Sequence, residues 1–374
     1  MTEPPKDAGL RFKKAVLRVR HPDALASWIV TRYDDVRKVL GDSQLFSSQI
    51  PLMNAPPELD IFIQTDPPDH TRIRRLLTPH LTVRRMVEHA QQIDLLVDHA
   101  LDRLISAGAG ADLTEQFSNP LAHAALCQFL GLQATDRALL DQWLHTFEAP
   151  DAPLADKQRA GKDMMRYLEH AVRASTAPEG SLLSRLHRRN EEETESLTER
   201  ELVCVLFTLL SAGYETLRNM ISLSLLTLML RPETADELRA DHSLVPAAVE
   251  EFARYYSVVH RPLPRKATRD TEIGGVQVKA GEYVAVSLPA ANWDTSVFEN
   301  PEELDIHRTA APHLAFGHGI HHCVGRPLAV SVLKSVITKT QQRIPQLQPA
   351  GNQAPQYLHE RLFYGVRELS FEWN

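Results

Sequence analysis

Residues 315–329 read Ala315-Phe316-Gly317-His318-Gly319-Ile320-His321-His322-Cys323-Val324-Gly325-Arg326-Pro327-Leu328-Ala329, and the fold turns on them. Three glycines, a phenylalanine and one cysteine stand just before a run, Leu328 to Ile337, that reads as a helix. Glycine permits backbone conformations and close approaches denied to residues with a Cβ. Pro327 suits a first helical turn, where its missing N–H costs nothing. Cys323 is therefore expected at the mouth of a helix, in a loop able to aim backbone N–H groups at its sulfur. Such donors and the positive helix end favour thiolate over thiol. A thiolate presented in this way is a metal ligand or a nucleophile. The plain alternative is a packed core thiol, since free cysteine is often buried. A zinc site built from His318, His321, His322 and Cys323 is the other. No Cys-x-x-Cys pair or spaced His pair accompanies them, so the zinc pattern is poor.

The same string resembles the haem-binding loop of the cytochrome P-450 family, Phe-x-x-Gly-x-x-x-Cys-x-Gly, with a His two before the Cys in many soluble members. Phe316, Gly319, His321, Cys323 and Gly325 fill that pattern here. The resemblance implies a haem b whose iron is axially ligated by Cys323. Thiolate donation to iron favours O–O cleavage.

Working back along the chain, the next strong signal is 198–231. Thr198 with Glu201 three residues on forms a capping-box pattern ahead of a long apolar helix. In its middle stands Ser211-Ala212-Gly213-Tyr214-Glu215-Thr216. A glycine and an acid inside an apolar helix lower helical propensity and bury a charge. Local rules broken without evident gain mark a candidate functional site. The bland readings are a Thr216 hydroxyl bonded back to the Ala212 carbonyl and a Glu215 paired with Arg218. Ala-Gly-x-Glu-Thr is also similar to the acid–alcohol motif of the same family's central helix. That likeness implies a helix distorted over the haem, with Glu215 and Thr216 relaying protons to bound oxygen.

Asp66-Pro67-Pro68-Asp69-His70-Thr71-Arg72-Ile73-Arg74 opens an earlier helix. His70 and Arg74 are i and i+4, on one face, and two donors so placed can grip one carboxylate. The resemblance assigns them, with Arg265 and His321, to the haem propionates. Arg72, Arg75, Arg84 and Arg85 read as a solvated basic face; in the family this proximal surface meets an acidic electron donor. Glu251-x-x-Arg254 lies in a predicted helix over 246–254. By resemblance it is a buried structural pair completed by Arg308.

The rest is weaker. Residues 28–47 read as strand then helix, with Val36, Val39 and Leu40 at helical spacing. Residues 49–65, with Pro51, Pro56 and Pro57, read as an irregular loop. Pro150 to Pro153 reads as a helix–helix break, and 191–197 as a solvated acidic loop. Residues 258–290 alternate and turn like short strands. His260 and Arg261 there read as exposed, although a pocket role for them would suit a polar substrate. Three family positions depart from the usual residue: Trp293 and Val330 stand where arginine is common, and Arg326 is bulkier and more charged than usual.

Composition agrees. A net charge of −7 gives no reason to expect nucleic acid. Three well-separated cysteines are no disulfide framework and suit a reducing cytosol. The polar Met1 to Arg20 has neither signal-peptide nor anchor character. No uninterrupted apolar run reaches the length of about 18 residues that a membrane helix needs. A cytoplasmic protein without membrane attachment is expected.

The expected fold is mainly α, a single domain over 1–374. Its β-rich parts are near 28–33, 258–290 and 355–374, and its haem lies between the central long helix and the Cys-ligand helix. The expected activity is insertion of one oxygen atom from O2 into a small organic substrate, as in secondary-metabolite tailoring. Electrons would come from a ferredoxin and an NAD(P)H-dependent ferredoxin reductase. Oxidative coupling or peroxide-driven oxidation is the alternative chemistry. A catalytically silent recruitment module is the alternative class, disfavoured because Cys323 and the Glu215–Thr216 pair are both present.

Overall fold

The computed structural model describes residues 15–18, 28–50, 61–133, 136–149, 151–174, 176–309, 312–351, 354–359 and 361–373. Its strands are β1 Val16–Arg18, β2 Trp28–Val30, β3 Phe46–Ser47, β4 Leu263–Ala267, β5 Thr271–Ile273, β6 Val276–Val278, β7 Tyr283–Val286, β8 Gln348–Pro349 and β9 Phe371–Glu372. Its helices begin with α1 Tyr33–Gly41, α2 Asp69–Leu77, α3 Val83–Ala107, α4 Asn119–Leu130, α5 Arg137–Glu148 and α6 Leu154–Ala174. They continue with α7 Leu182–Glu192, α8 Glu199–Leu230, α9 Pro232–Ala240, α10 Val245–Tyr256, α11 Leu288–Asn292 and α12 Arg326–Arg343. The mainly α class with small sheets is as the sequence implies. The proline-rich loop at 51–60 lies outside the described residues.

The main sheet runs β1-β2-β7-β4-β3. Its β2–β7 pair is parallel, and the other pairs are antiparallel. Val30, Val284 and Val286 bury completely in this sheet and pack with Val36, Val39 and Leu40 of α1. The helical spacing read in 33–41 is thus the spacing of residues on a sheet-facing stripe. Gly274 and Gly275, at φ 54° and 79°, make the tight β5–β6 turn that two positive φ values define.

Helix α8 is buried on nearly every side, so its sequence shows little amphipathic pattern. Its capping box is present: the Thr198 hydroxyl accepts from the Glu201 N–H, and the Glu201 carboxylate accepts from the Thr198 N–H at 2.8 Å. It packs against α4, α6, α10 and α12. The expected distortion does not occur: α8 is α-helical without a break from Glu199 to Leu230.

Glu251 anchors the segment that leads to the cysteine loop. Arg254 grips it with Nε and Nη2 at 2.7 and 2.8 Å, and Arg308 Nε lies 3.2 Å from it. Arg254 also donates to the carbonyls of Asn292 and Pro301. The trio inferred for folding is therefore assembled, with Glu251 and Arg254 buried and Arg308 half-buried. Trp293 is buried beside it, donates from its indole to the Tyr255 carbonyl at 3.1 Å and packs on the Tyr255 ring. An apolar ring with one donor fits that place, which explains the departure from arginine.

Other expectations need correction. The acidic loop is shorter than read, since α7 extends to Glu192. Among the described residues after 354, the C-terminal region forms only β9 and isolated bridges such as Val259 with Phe363. The basic face is solvated at Arg75 and Arg84 as read, but its charges are paired: Arg72 with Glu201, Arg75 with Glu195, and Arg84 and Arg85 with Glu88. His260 is buried and bonded through Nε2 to the Arg361 carbonyl, because Val259 pairs with Phe363 and draws it inward.

Candidate active site

The cysteine loop is held by its own backbone. Cys323 N donates to the Phe316 carbonyl at 2.8 Å, and His322 N to the Gly319 carbonyl at 3.1 Å. Gly319 has φ 73°, and a Cβ there would lie 2.2 Å from the Leu40 carbonyl oxygen. Only glycine allows the loop to press this closely on α1. Helix α12 starts at Arg326 with Pro327 in its first turn, two residues earlier than the apolar run alone implied.

Cys323 is an exposed residue, whereas Cys127 and Cys204 are buried. Protein surrounds it at longer range, and that desolvation pushes the thiol up. The N–H groups of Gly325 and Arg326 and the guanidinium charges of Arg74 and Arg326 oppose it. The donors expected from the sequence are thus aimed at the sulfur. Among the described residues no group of three or more His, Cys, Asp or Glu side chains could hold a metal ion, so the zinc reading has no ligand set.

Next to the sulfur lies a cluster short of acceptors. His70 and His321 have ring centroids 4.2 Å apart, and Phe62 stacks on His70. Both ring nitrogens of His70 and Nε2 of His321 are buried without a hydrogen-bond partner. Burial, reinforced by Arg74, lowers His70 to about 4. Burial, then the charges of His70, Arg265 and Arg74, lowers His321 to about 3. Arg74 donates to the His322 carbonyl at 2.6 Å and Arg265 to its neighbour's carbonyl, Pro264, at 2.8 Å. Among the described residues neither forms a salt bridge with a carboxylate, and Asp66 acts on Arg265 only at longer range. Burial pushes Arg265 down to about 10. Buried donors and cations without anions are costly. A ligand carrying two carboxylates would satisfy them, so these residues fit the propionates of a haem whose iron meets Cys323.

The acid–alcohol turn on α8 is in a closed arrangement. The Thr216 hydroxyl donates to the Ala212 carbonyl at 2.9 Å and also contacts that of Gly213 at 3.2 Å. Glu215 is buried and paired with Arg218 at 2.7 Å. Both bland readings hold for the side chains as they stand. Glu215 and Arg218 line a polar cavity of about 530 Å3 with Asp141, His145, Tyr214 and Arg361. Nearby, burial and then repulsion from Glu215 push Glu148 up to about 8.

Sequence reasoning missed several of these neighbours. Phe62, Glu148 and Arg361 come from segments without a motif. The Glu250–Arg326 contact joins residues 76 apart in the chain.

The sequence pattern of the family described as Cytochrome P450 matches residues 169–360. The chain is 34% identical to Cytochrome P450 FAS1 of Rhodococcoides fascians, over 98% of this chain and 94% of that one. It is 33% identical to the mycinamicin IV hydroxylase/epoxidase of Micromonospora griseorubida, over 90% and 86% of the two chains. The crystal structure of the mycinamicin VIII C21 methyl hydroxylase MycCI, from the same organism, superposes with a TM-score of 0.90 at 31% identity. It covers 99% of this chain and 97% of that one.

Proposed function

The chain belongs to the cytochrome P450 family and is a haem-thiolate monooxygenase, and from that premise we propose how its own residues carry the reaction. Residues 1–374 form one domain of that family. Cys323 is the axial ligand. His70, Arg74, Arg265 and His321 hold the two propionates, and Phe316 packs in the ligand loop. The observation that carries this reading is the cluster of buried histidine nitrogens and of guanidiniums bonded only to carbonyls, beside the cysteine loop.

When bound, the haem supplies the one-electron and O2 chemistry; the protein positions, shields and delivers protons. The Thr216 hydroxyl donates its proton to Ala212, so its oxygen is free to accept from a water on the α8 surface. Glu215 draws protons from the polar cavity and passes them to that water. This requires its carboxylate to swing from Arg218, which is the gated step of the relay. Glu148, protonated through most of the neutral range, is a second acid within electrostatic reach of Glu215.

The substrate is a small organic molecule, of the secondary-metabolite kind that the mycinamicin hydroxylases act on. Electrons arrive one at a time from a ferredoxin reduced by an NAD(P)H-dependent reductase. Net charge gives the basic residues of α2 and α3 little role in this encounter, because carboxylates face them. The sequence suits the cytoplasm, and among the described residues no helix is long and apolar enough to cross a membrane.

The test is haem retention. Arg74→Ala combined with Arg265→Ala should lower the haem-to-protein ratio on gel filtration severalfold while helicity by circular dichroism is kept. Retention equal to the parent protein would overturn the propionate assignment.

A further inference from the structure

Arg326 breaks a local rule. It is a cation in the first turn of α12, where the helix dipole is unfavourable to positive charge. Such a violation calls for a compensating gain. Its side chain is not left to solvent. One terminal nitrogen donates to Glu250 of α10 at 2.6 Å. The guanidinium also lies over the Phe316 ring, 5.4 Å from its centroid, in cation–π geometry. Glu250 is held in turn by His313 Nε2 at 3.0 Å, and the His313 ring packs 5.9 Å from Phe316. Burial alone would raise the Glu250 carboxyl, but the bonds from His313 and Arg326 outweigh it and bring it to about 2. The carboxylate is therefore charged throughout the working range. Two elements, α10 and the segment before the cysteine loop, thus fold the cation in over the loop.

Arg326 meets the cysteine loop twice: its backbone opens α12 three residues after Cys323, and its guanidinium covers Phe316, whose carbonyl accepts from the Cys323 N–H at 2.8 Å. The Arg326 N–H is fixed by the helix start and belongs to any residue there. The charge comes from the side chain, and guanidinium stays protonated at every working pH. Hydrogen bonds and charges around a metal-bound sulfur set its electron donation and so the reduction potential.

We propose that Arg326, held by Glu250 and His313, is a positioning residue that weakens electron donation by the Cys323 sulfur and raises the reduction potential of the bound iron. This inference rests on Cys323 as the ligand. Positive charge near the sulfur favours the form with one more electron. Glu250 offsets part of that charge, so the two residues act with opposite sign. An ion pair that merely tied α10 to α12 would move stability and leave the potential unchanged.

The experiment is spectroelectrochemical titration of the purified holoprotein, without a redox partner, for the parent, Arg326→Ala, Arg326→Lys and Glu250→Gln. Arg326→Ala should lower the ferrous-to-ferric ratio at fixed potential about tenfold, equivalent to about 59 mV for one electron. Glu250→Gln keeps an acceptor for Arg326 but loses the charge, and should shift the potential upward. Arg326→Lys should recover most of the loss. Glu250→Gln keeps the test decisive should the alanine variant hold haem poorly. Unmoved potentials, or shifts of the same sign in Arg326→Ala and Glu250→Gln, would overturn the inference while the carbon monoxide band of the parent leaves the ligand assignment standing. A parent protein without the thiolate band would overturn the ligand assignment and this inference together.

Discussion

The cysteine loop and the acid–alcohol turn of α8 carry the two strongest motifs of the chain, yet they differ in how finished they are. The loop is preorganised. Its backbone bonds are closed, Gly319 has no room for a side chain, and two N–H groups already face the sulfur. The α8 turn is held shut by its own neighbours, Thr216 on Ala212 and Glu215 on Arg218. On the reading proposed above, one site holds a group permanently, and the other passes protons once Glu215 leaves Arg218. Preorganisation belongs where charge is fixed, and a switchable pair belongs where charge moves.

This contrast can be broken at either end. The largest effect is expected in the loop. Gly319→Ala would drive a Cβ to 2.2 Å from the Leu40 carbonyl at a positive φ. It should destabilise the protein by about 2 kcal/mol or more in denaturant titration. A variant as stable as the parent would show that the loop yields and is not preorganised.

Thr216→Ala removes the hydroxyl but leaves the fold intact, since its bonds are local to α8. Product formation should fall about 100-fold, with oxygen consumption continuing and peroxide appearing. Undiminished coupling in an oxygen-electrode assay would refute the relay role. Arg218→Gln is a milder probe of the closed pair. It frees Glu215 from its cation, and proton delivery should become faster or less dependent on solvent isotope. An unchanged solvent isotope effect on turnover would mean that the pair does not gate the proton.

The smallest effect concerns Glu148. Its folded carboxyl titrates at about 8 against an ordinary value of 4.5. The folded state therefore holds a proton that the unfolded state has lost between those values. Stability from this group is greatest at the acid end of that window and declines as pH rises through it. Glu148→Gln should flatten the decline in melting temperature between about pH 5 and 8. A parallel profile would mean that no raised carboxyl stands beside Glu215.

Much of this was legible in the sequence because its signals are local. Helix α8 announced itself through Thr198 and Glu201, and the cysteine loop through glycines at fixed spacing. The i,i+4 relation of His70 and Arg74 needed only a helix. What stayed hidden depends on long-range packing. His260 read as exposed until the Val259–Phe363 bridge drew it inward. The arginines of α2 read as a solvated basic face without carboxylate partners in view, because Glu195 and Glu201 are more than a hundred residues away. Arg326 read as an anomaly until Glu250 was seen beneath it. The closed state of Glu215 was legible as a possibility, since Arg218 is one helical turn on, but packing alone decided it.

The central claim is that the 315–329 loop is built to present Cys323 as a thiolate to haem iron. It is tested most directly by the optical spectrum of the dithionite-reduced protein with carbon monoxide, for the parent and for Cys323→Ser. The parent should give the strongly red-shifted Soret band of thiolate ligation, and the variant should lose it. A parent band at the ordinary position, or a red-shifted band that survives in Cys323→Ser, would contradict the account.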